Sequence, residues 1–313
     1  MNATVVEIEN LTKDYEVGFL KKKKVRALDS LTLSVEGGQI FGFLGANGAG
    51  KTTTLKLLMR LIYPTSGRAR ILGRDIDDVS MHARIGYLPE NPYFYDYLTA
   101  RELLDYCGQI FGINAAERKR RTADLLHRVG LEEKSWDKQL RKFSKGMLQR
   151  TGLAQALIND PEIVFLDEPM SGLDPMGRRE VRDLIAGLRE QGKTVFMNSH
   201  ILSDIEVLCD RVAILRGGKL SAVGRLDELR HQSGPNQIEV TVSDTDADSL
   251  KSALGTDSAA VVSPATVGVR VDVVDESEVD DVLKAIRSVK GRLISVQPVR
   301  QSLEDLFVSK TED

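Results

Sequence analysis

Apolar residues recur along this chain in two patterns, short clusters that predict strands and a helical spacing that predicts helices. Short apolar clusters at Val5 to Ile8, Leu31 to Val35 and Ile40 to Leu44 read as strands, the last one continuous and therefore buried on both faces. Leu55, Leu57, Leu58, Leu61 and Ile62 then fall at helical spacing, which predicts a helix over Thr53 to Ile62 that stops at Pro64. From about residue 90 to about 160 the pattern is helical throughout, with helices expected over Arg101 to Gly112, Ala115 to Val129 and Gly146 to Asn159. Strands return at Ile163 to Leu166, Thr194 to Asn198 and Arg211 to Leu215, with a helix over Gly177 to Gln191 between the first two. That alternation predicts an α/β layer with parallel strands, interrupted by a helical insertion.

The turn-rich stretch His231-Gln232-Ser233-Gly234-Pro235-Asn236 reads as a linker. Beyond it we expect strand 237–243, helix 246–254, strands 259–263 and 267–274, helix 276–289, strand 292–299 and a closing helix 302–309. This order suggests a small split βαβ domain of ferredoxin-like type. The expected division is a first domain over 1–232, with its helical subdomain at about 90–160, and an accessory α+β domain over 237–313. No repeat of the first domain is found.

Composition narrows the partners. The chain has 313 residues, a formal net charge of −3 and 28% charged residues, so it has no basic excess of the kind that nucleic acid selects. Cys107 and Cys209 are the only cysteines, too few and too far apart for a disulfide framework or a zinc spacing, which favours a reducing compartment. Met1 to Asn10 lack the basic start and apolar run of a signal peptide, and no stretch approaches about 18 consecutive apolar residues. We therefore expect a chain that does not cross a membrane by itself. Lys21 to Lys24 form a basic run, either a solvated loop tip or a contact for anionic lipid or an acidic partner.

The densest chemistry lies between the third strand and the first helix. Gly45-Ala46-Asn47-Gly48-Ala49-Gly50-Lys51-Thr52 fits G-x-x-x-x-G-K-[ST] in the strand–loop–helix setting that the motif requires. Its glycines let the backbone curl so that N–H groups face phosphate oxygens, and the helix dipole adds positive potential. Lys51 would reach the β- and γ-phosphates, and the Thr52 hydroxyl would ligate magnesium. Ile163-Val164-Phe165-Leu166 is an apolar strand ending in Asp167 and Glu168. There Asp167 can hold magnesium and Glu168 can polarise an attacking water. Ser144, just before a Leu/Ala/Ile-rich helix, is a good N-cap and opens an anion site on that helix.

Together these motifs make the chain resemble the ATPase subunits of ABC transporters over residues 4 to 230. By that resemblance Gly45 to Thr52 is the Walker A loop, with Gly45, Asn47, Gly48, Ala49, Gly50, Lys51, Thr52 and Thr53 binding nucleotide. Ile163 to Asp167 is Walker B, and Glu168 the catalytic glutamate. Ser144 and Gly146 match the signature, while Lys145 and Met147 depart from its usual glycine and glutamine as they do in many type-two exporter ATPases. Ser171-Gly172-Leu173-Asp174 resembles the D-loop, and His200 the switch histidine that senses the γ-phosphate. Tyr15 resembles the aromatic that stacks on adenine, at a spacing stretched by the lysine-containing loop. Tyr87-Leu88-Pro89-Glu90-Asn91 carries Glu90 where the family usually has a glutamine; a carboxylate is also an oxygen ligand for magnesium. Ser302-Leu303-Glu304-Asp305-Leu306-Phe307 resembles the closing helix of the exporter subfamily's small C-terminal domain.

The resemblance implies a P-loop NTPase core with an N-terminal antiparallel β subdomain and a helical insertion, plus the small α+β domain. It implies ATP and Mg2+ as cofactors, and a head-to-tail pair of ATPase domains, most simply a homodimer, in which Ser144 and Gly146 serve the partner's nucleotide. It further implies a transmembrane permease on a separate chain, a place on the cytoplasmic face of the membrane, export as the direction, and no nucleic acid. The rival expectation is a soluble ATPase of the same family acting on a nucleoprotein. Tyr93, Phe94, Tyr95 and Tyr97 either pack the helical subdomain or line a groove for a membrane subunit.

Overall fold

The computed structural model describes residues 3–18, 22–231, 237–255, 258, 260–265 and 268–299. Two compact units are present, Met1–Leu226 and Asp227–Asp313. The first contains β1 (Thr4–Val17), β2 (Lys23–Glu36), β3 (Ile40–Leu44), α1 (Lys51–Leu58), β4 (Ser66–Ile71), β5 (Arg74–Asp75) and β6 (Ile85–Leu88). Its helical segment follows as α2 (Ala100–Ile110), α3 (Ala115–Arg128), α4 (Glu133–Trp136) and α5 (Lys145–Ala156). The chain then returns through β7 (Ile163–Asp167), α6 (Pro175–Glu190), β8 (Thr194–Ser199), α7 (Leu202–Leu208), β9 (Arg211–Arg216) and β10 (Lys219–Arg225). A short helix, α8 (Leu226–His231), spans the boundary between the units.

The central sheet has the order β10-β9-β3-β8-β7-β6, parallel except for the antiparallel β9–β10 pair. Every residue of β3, β7 and β8 is buried, the pattern of strands covered on both faces. Phe196 anchors one face, its ring centroid 5.4 Å from those of Phe41 and Phe43 and 5.5 Å from that of Phe165. This aromatic row is continuous with apolar residues of a second, antiparallel sheet of order β2-β1-β4-β5, among them Val6, Ile8, Leu31, Leu33 and Ile71. One core thus holds both sheets and α1. Gly86 permits the approach of α5 to β6, since a Cβ there would lie 2.1 Å from the Ala156 carbonyl oxygen.

Two sequence expectations change. The first helix ends at Leu58 rather than near Leu61 or Ile62: Arg60 adopts φ +57°, and Leu61 is exposed. The first two strands are 14 residues each, far longer than their apolar cores at Val5 to Ile8 and Leu31 to Val35.

The second unit contains β11 (Gln237–Ser243), α9 (Ala247–Leu254), β12 (Val261–Pro264), β13 (Val269–Val273), α10 (Glu276–Ser288) and β14 (Arg292–Val299). Its antiparallel sheet has the order β12-β13-β11-β14, and Val240, Val242, Val269, Val271 and Val273 form a core with Leu250, Val282 and Ile286 of the two helices. The expected closing helix 302–309, with Ser302 to Phe307, lies outside the described residues.

Candidate functional site

The carboxyl ends of β3, β7 and β8 bring the chemistry together, where open α/β sheets bind their ligands. The loop after β3 is pinned on both sides. Gly50 has φ +105°, and a Cβ on it would sit 2.5 Å from the Ala27 carbonyl oxygen; a Cβ on Gly45 would sit 2.7 Å from that of Leu215. Gly48 also takes a left-handed conformation, at φ +81°, and is exposed with Ala46 and Asn47, whereas Ala49 is buried. Gly50 caps α1, so Lys51, Thr52 and Thr53 form the first turn of that helix.

Lys51 is almost fully buried. Its ammonium donates to the Gly45 carbonyl at 2.5 Å and to the Ala46 carbonyl at 3.3 Å, and lies 3.9 Å from Glu168 Oε1. Burial lowers its pKa, and the negative charges of Glu168, Asp167 and Glu90 oppose that fall. Glu90 itself is exposed on the segment after β6, within electrostatic reach of this lysine.

Glu168 stands at φ +50°, a conformation that side-chain-bearing residues rarely take and that concentrates at functional sites. The backbone there is held from both sides: its N–H donates to the Asn198 carbonyl at 3.2 Å, and its carbonyl accepts from the Ser171 N–H at 3.0 Å. The carboxylate is buried between two cationic or donor groups, Lys51 on Oε1 and His200 Nδ1 at 2.8 Å from Oε2. Burial raises the Glu168 pKa, while His200 and then Lys51 draw it back. His200 is half exposed at the end of β8.

Asp167 is 1% exposed, and its Oδ1 accepts from Asn198 Nδ2 at 3.0 Å. Its Oδ2 is buried without a hydrogen-bond partner, the arrangement a hard cation would complete. The same carboxylate helps burial to push the Tyr87 hydroxyl up to about 12.

Ser144 and Asp174 are both exposed N-caps: Ser144 Oγ accepts from the Met147 N–H at 3.3 Å, and Asp174 Oδ1 from the Gly177 N–H at 2.8 Å. Gly146 lies against Leu173, which a Cβ would approach to 3.3 Å. Lys145, the departure from the family signature, lies along Gly172 and places its ammonium 3.5 Å from Ser171 Oγ. Tyr15 stands on β1 opposite Val25, and the Lys13 ammonium is 5.2 Å from its ring centroid. Of the four aromatics after Glu90, Phe94 alone is half-buried, near Gly152; Tyr93, Tyr95 and Tyr97 are exposed. Lys22 pairs with Glu16 at 2.8 Å, Lys23 and Lys24 are exposed on β2, and Lys21 lies outside the described residues.

Residues 28–171 match the ABC transporter family, and residues 224–311 match the C-terminal domain of ATP-binding proteins like DrrA1-3. An ABC transporter ATP-binding protein of Synechocystis is 47% identical over 318 aligned residues, covering 100% of this chain and 86% of the relative. The chain belongs to the ABC transporter ATP-binding subunits. The daunorubicin resistance ATP-binding protein DrrA3 of Streptomyces coeruleorubidus is 33% identical, with 92% of each chain covered. Among solved structures, a dimeric post-hydrolysis ATP-binding cassette bound to ADP and Pi superposes with a TM-score of 0.65 at 27% identity, over 71% of this chain and 98% of that one. This subunit is therefore an ATPase that powers a separate permease, which sets aside the nucleoprotein alternative. No helix among the described residues is long and apolar enough to cross a membrane.

Two polar residues of the site escaped the sequence reading. In the sequence Asn198 is only the end of an apolar strand, and Gln149 only a position within a helix. Yet Gln149, 1% exposed, donates to the Pro169 carbonyl at 3.1 Å, tying the signature helix to the segment after Glu168. The signal available for Asn198 was a polar side chain closing an apolar run; Gln149, followed by Arg150 and Thr151, carries no such signal.

Proposed function

We propose that Glu168 is the base that activates water for attack on the γ-phosphate, and that Lys51 and His200 are the two groups that hold its carboxylate and that phosphate. The observation that carries this is the buried carboxylate suspended between the Lys51 ammonium and His200. Gly45 to Thr53 wrap the phosphates through backbone N–H groups and the α1 dipole. Tyr15 stacks on the adenine. Magnesium would supply charge neutralisation at the nucleotide's phosphates, and Asp167, Thr52 and Glu90 would be the oxygen donors that hold it, directly or through water. The unpartnered Asp167 Oδ2 fits that role.

The site is half of a whole. Two copies pair head to tail, and Ser144 and Gly146 of one face the γ-phosphate held by Lys51 of the other, with Asp174 at the seam. The solved dimeric cassette supports that arrangement. Closure and reopening drive a permease that engages the exposed Tyr93, Tyr95 and Tyr97, so the subunit works on the cytoplasmic face of the membrane. The relative named for daunorubicin resistance supports export. The small unit from about residue 237 is accessory to this engine.

Subunit mixing tests the composite site. Lys51→Ala and Ser144→Arg chains should each be inactive alone with the permease. Mixed, they should regain up to about a quarter to a half of wild-type hydrolysis, because a heterodimer contains one intact composite site. No recovery on mixing, with heterodimers demonstrated by differential tags, would refute head-to-tail sharing.

A further inference from the structure

Asn198 is wholly buried in β8, where Val195, Phe196 and Met197 before it are apolar. The parallel register sets it directly across from Asp167 on β7 and from Phe43 on β3. It therefore continues the Phe196 row on the same sheet face, one step closer to the phosphate loop. An apolar side chain of the same size would extend that row. Instead the amide donates Nδ2–H to Asp167 Oδ1 at 3.0 Å. Because a carboxylate only accepts, this bond also fixes which way the amide points.

That bond leaves two acceptors, Asn198 Oδ1 and Asp167 Oδ2, both buried and both without a hydrogen-bond partner. A buried acceptor left without a partner keeps its desolvation penalty uncompensated. The nearest cationic group on the loop, Lys51, already donates to Gly45 and Ala46 and faces Glu168. A hydrated divalent cation answers both acceptors at once, offering a positive centre to the carboxylate and water O–H donors to the amide oxygen.

We propose that Asn198 is a positioning residue for the cation that accompanies ATP: its N–H holds the Asp167 carboxylate with Oδ2 toward the cation, and its Oδ1 accepts from water in the cation's shell. This rests on reading Asp167 as a metal-holding residue. It makes β8 a contributor to the metal site as well as the strand that delivers His200.

The test measures how Mg2+ tightens binding of a fluorescent, non-hydrolysable ATP analogue to the full chain. Asn198→Leu removes both hydrogen-bonding functions at similar size; Asn198→Ser, smaller and polar, covers the case in which leucine prevents folding. Both variants should bind the analogue in EDTA within about twofold of wild type. The Mg2+ concentration for half-maximal tightening should rise about tenfold, the usual scale for an outer-shell partner. An unchanged Mg2+ midpoint in a folded variant would overturn the proposal. So would a parallel loss of binding in EDTA, which marks a purely structural role. If wild-type binding ignores Mg2+ altogether, the metal reading of Asp167 falls, and this inference with it.

Discussion

Replacing Glu168 by glutamine separates binding from chemistry at this site. The two side chains have nearly the same shape, so the contacts at φ +50° and the approach of His200 are retained, but the negative charge is lost. The Glu168–Lys51 separation of 3.9 Å corresponds to an attraction of about 4 kcal/mol at an effective dielectric constant of 20, before desolvation is counted. Burial of the carboxylate opposes that gain, as its raised pKa shows. Removing the charge frees Lys51 for phosphate and removes a repulsion toward the γ-phosphate, so ATP affinity should be unchanged or tighter. Loss of the base should cost roughly 10²–10⁴ in hydrolysis, about 3–5 kcal/mol of barrier. Phosphate release, equilibrium nucleotide binding and size-exclusion chromatography with ATP would read all three effects, the last as a trapped dimer. Hydrolysis within about threefold of wild type would refute the assignment of Glu168. So would a tenfold weakening of ATP binding in a folded variant.

The acid limb of the hydrolysis–pH profile should lie above the ordinary glutamate value of 4.5, and His200→Ala should move it higher still, because His200 is the largest influence drawing the Glu168 pKa down. The same shift has a stability sign: between 4.5 and the raised value the folded chain binds more protons than the unfolded one, so stability should fall as pH rises through that window, and Glu168→Gln should flatten the fall in urea titrations at stepped pH. Gly50→Ala forces a side chain into φ +105° and 2.5 Å from the Ala27 carbonyl oxygen; it should cost about 1–3 kcal/mol in denaturant unfolding and abolish measurable nucleotide binding. Tyr95→Ala and Tyr97→Ala remove exposed rings whose centroids are 5.8 Å apart; isolated-chain stability should stay within about 0.5 kcal/mol while permease co-purification and transport fail, and intact transport would remove these tyrosines from the docking surface.

How legible each part was depended on whether the residue's role is local. The phosphate loop could be read directly because its glycines, Lys51 and Thr52 act within one turn of chain. His200 was legible only through the order of the motifs, since its partner Glu168 reaches it across two paired strands. Asn198 could not be read at all, because its meaning lies in strand register with Asp167. The long hairpin of β1 and β2 was similarly underestimated. Its distal half pairs Lys13, Asp14 and Glu16 with Leu28, Arg26 and Lys24, so main-chain bonds and ion pairs such as Arg26–Asp14 at 2.8 Å sustain it where apolar periodicity is absent. At α1 the error ran the other way: Leu61 continued the helical spacing, but the positive φ of Arg60 ends the helix first.

Ser144, assigned to the partner's nucleotide, and Asp174, assigned to the seam, share a feature that bears on how the dimer closes. Ser144 and Asp174 each use a side-chain oxygen to cap their own helix, α5 and α6. What these positions present outward is a helix N-terminus, with its remaining N–H groups and positive dipole end. A capping bond is worth about 1 kcal/mol. On the proposed head-to-tail pairing, Ser144 Oγ keeps accepting its cap bond while its O–H donates to the arriving γ-phosphate, and the free N–H groups of the first α5 turn donate beside it. Ser144→Ala would then lose the cap and the O–H donor without losing the dipole, whereas the long arginine side chain would fill the space the phosphate needs. That difference is why the mixing experiment uses arginine: alanine would leave much of the anion site standing, and its residual activity would be mistaken for evidence against a shared site.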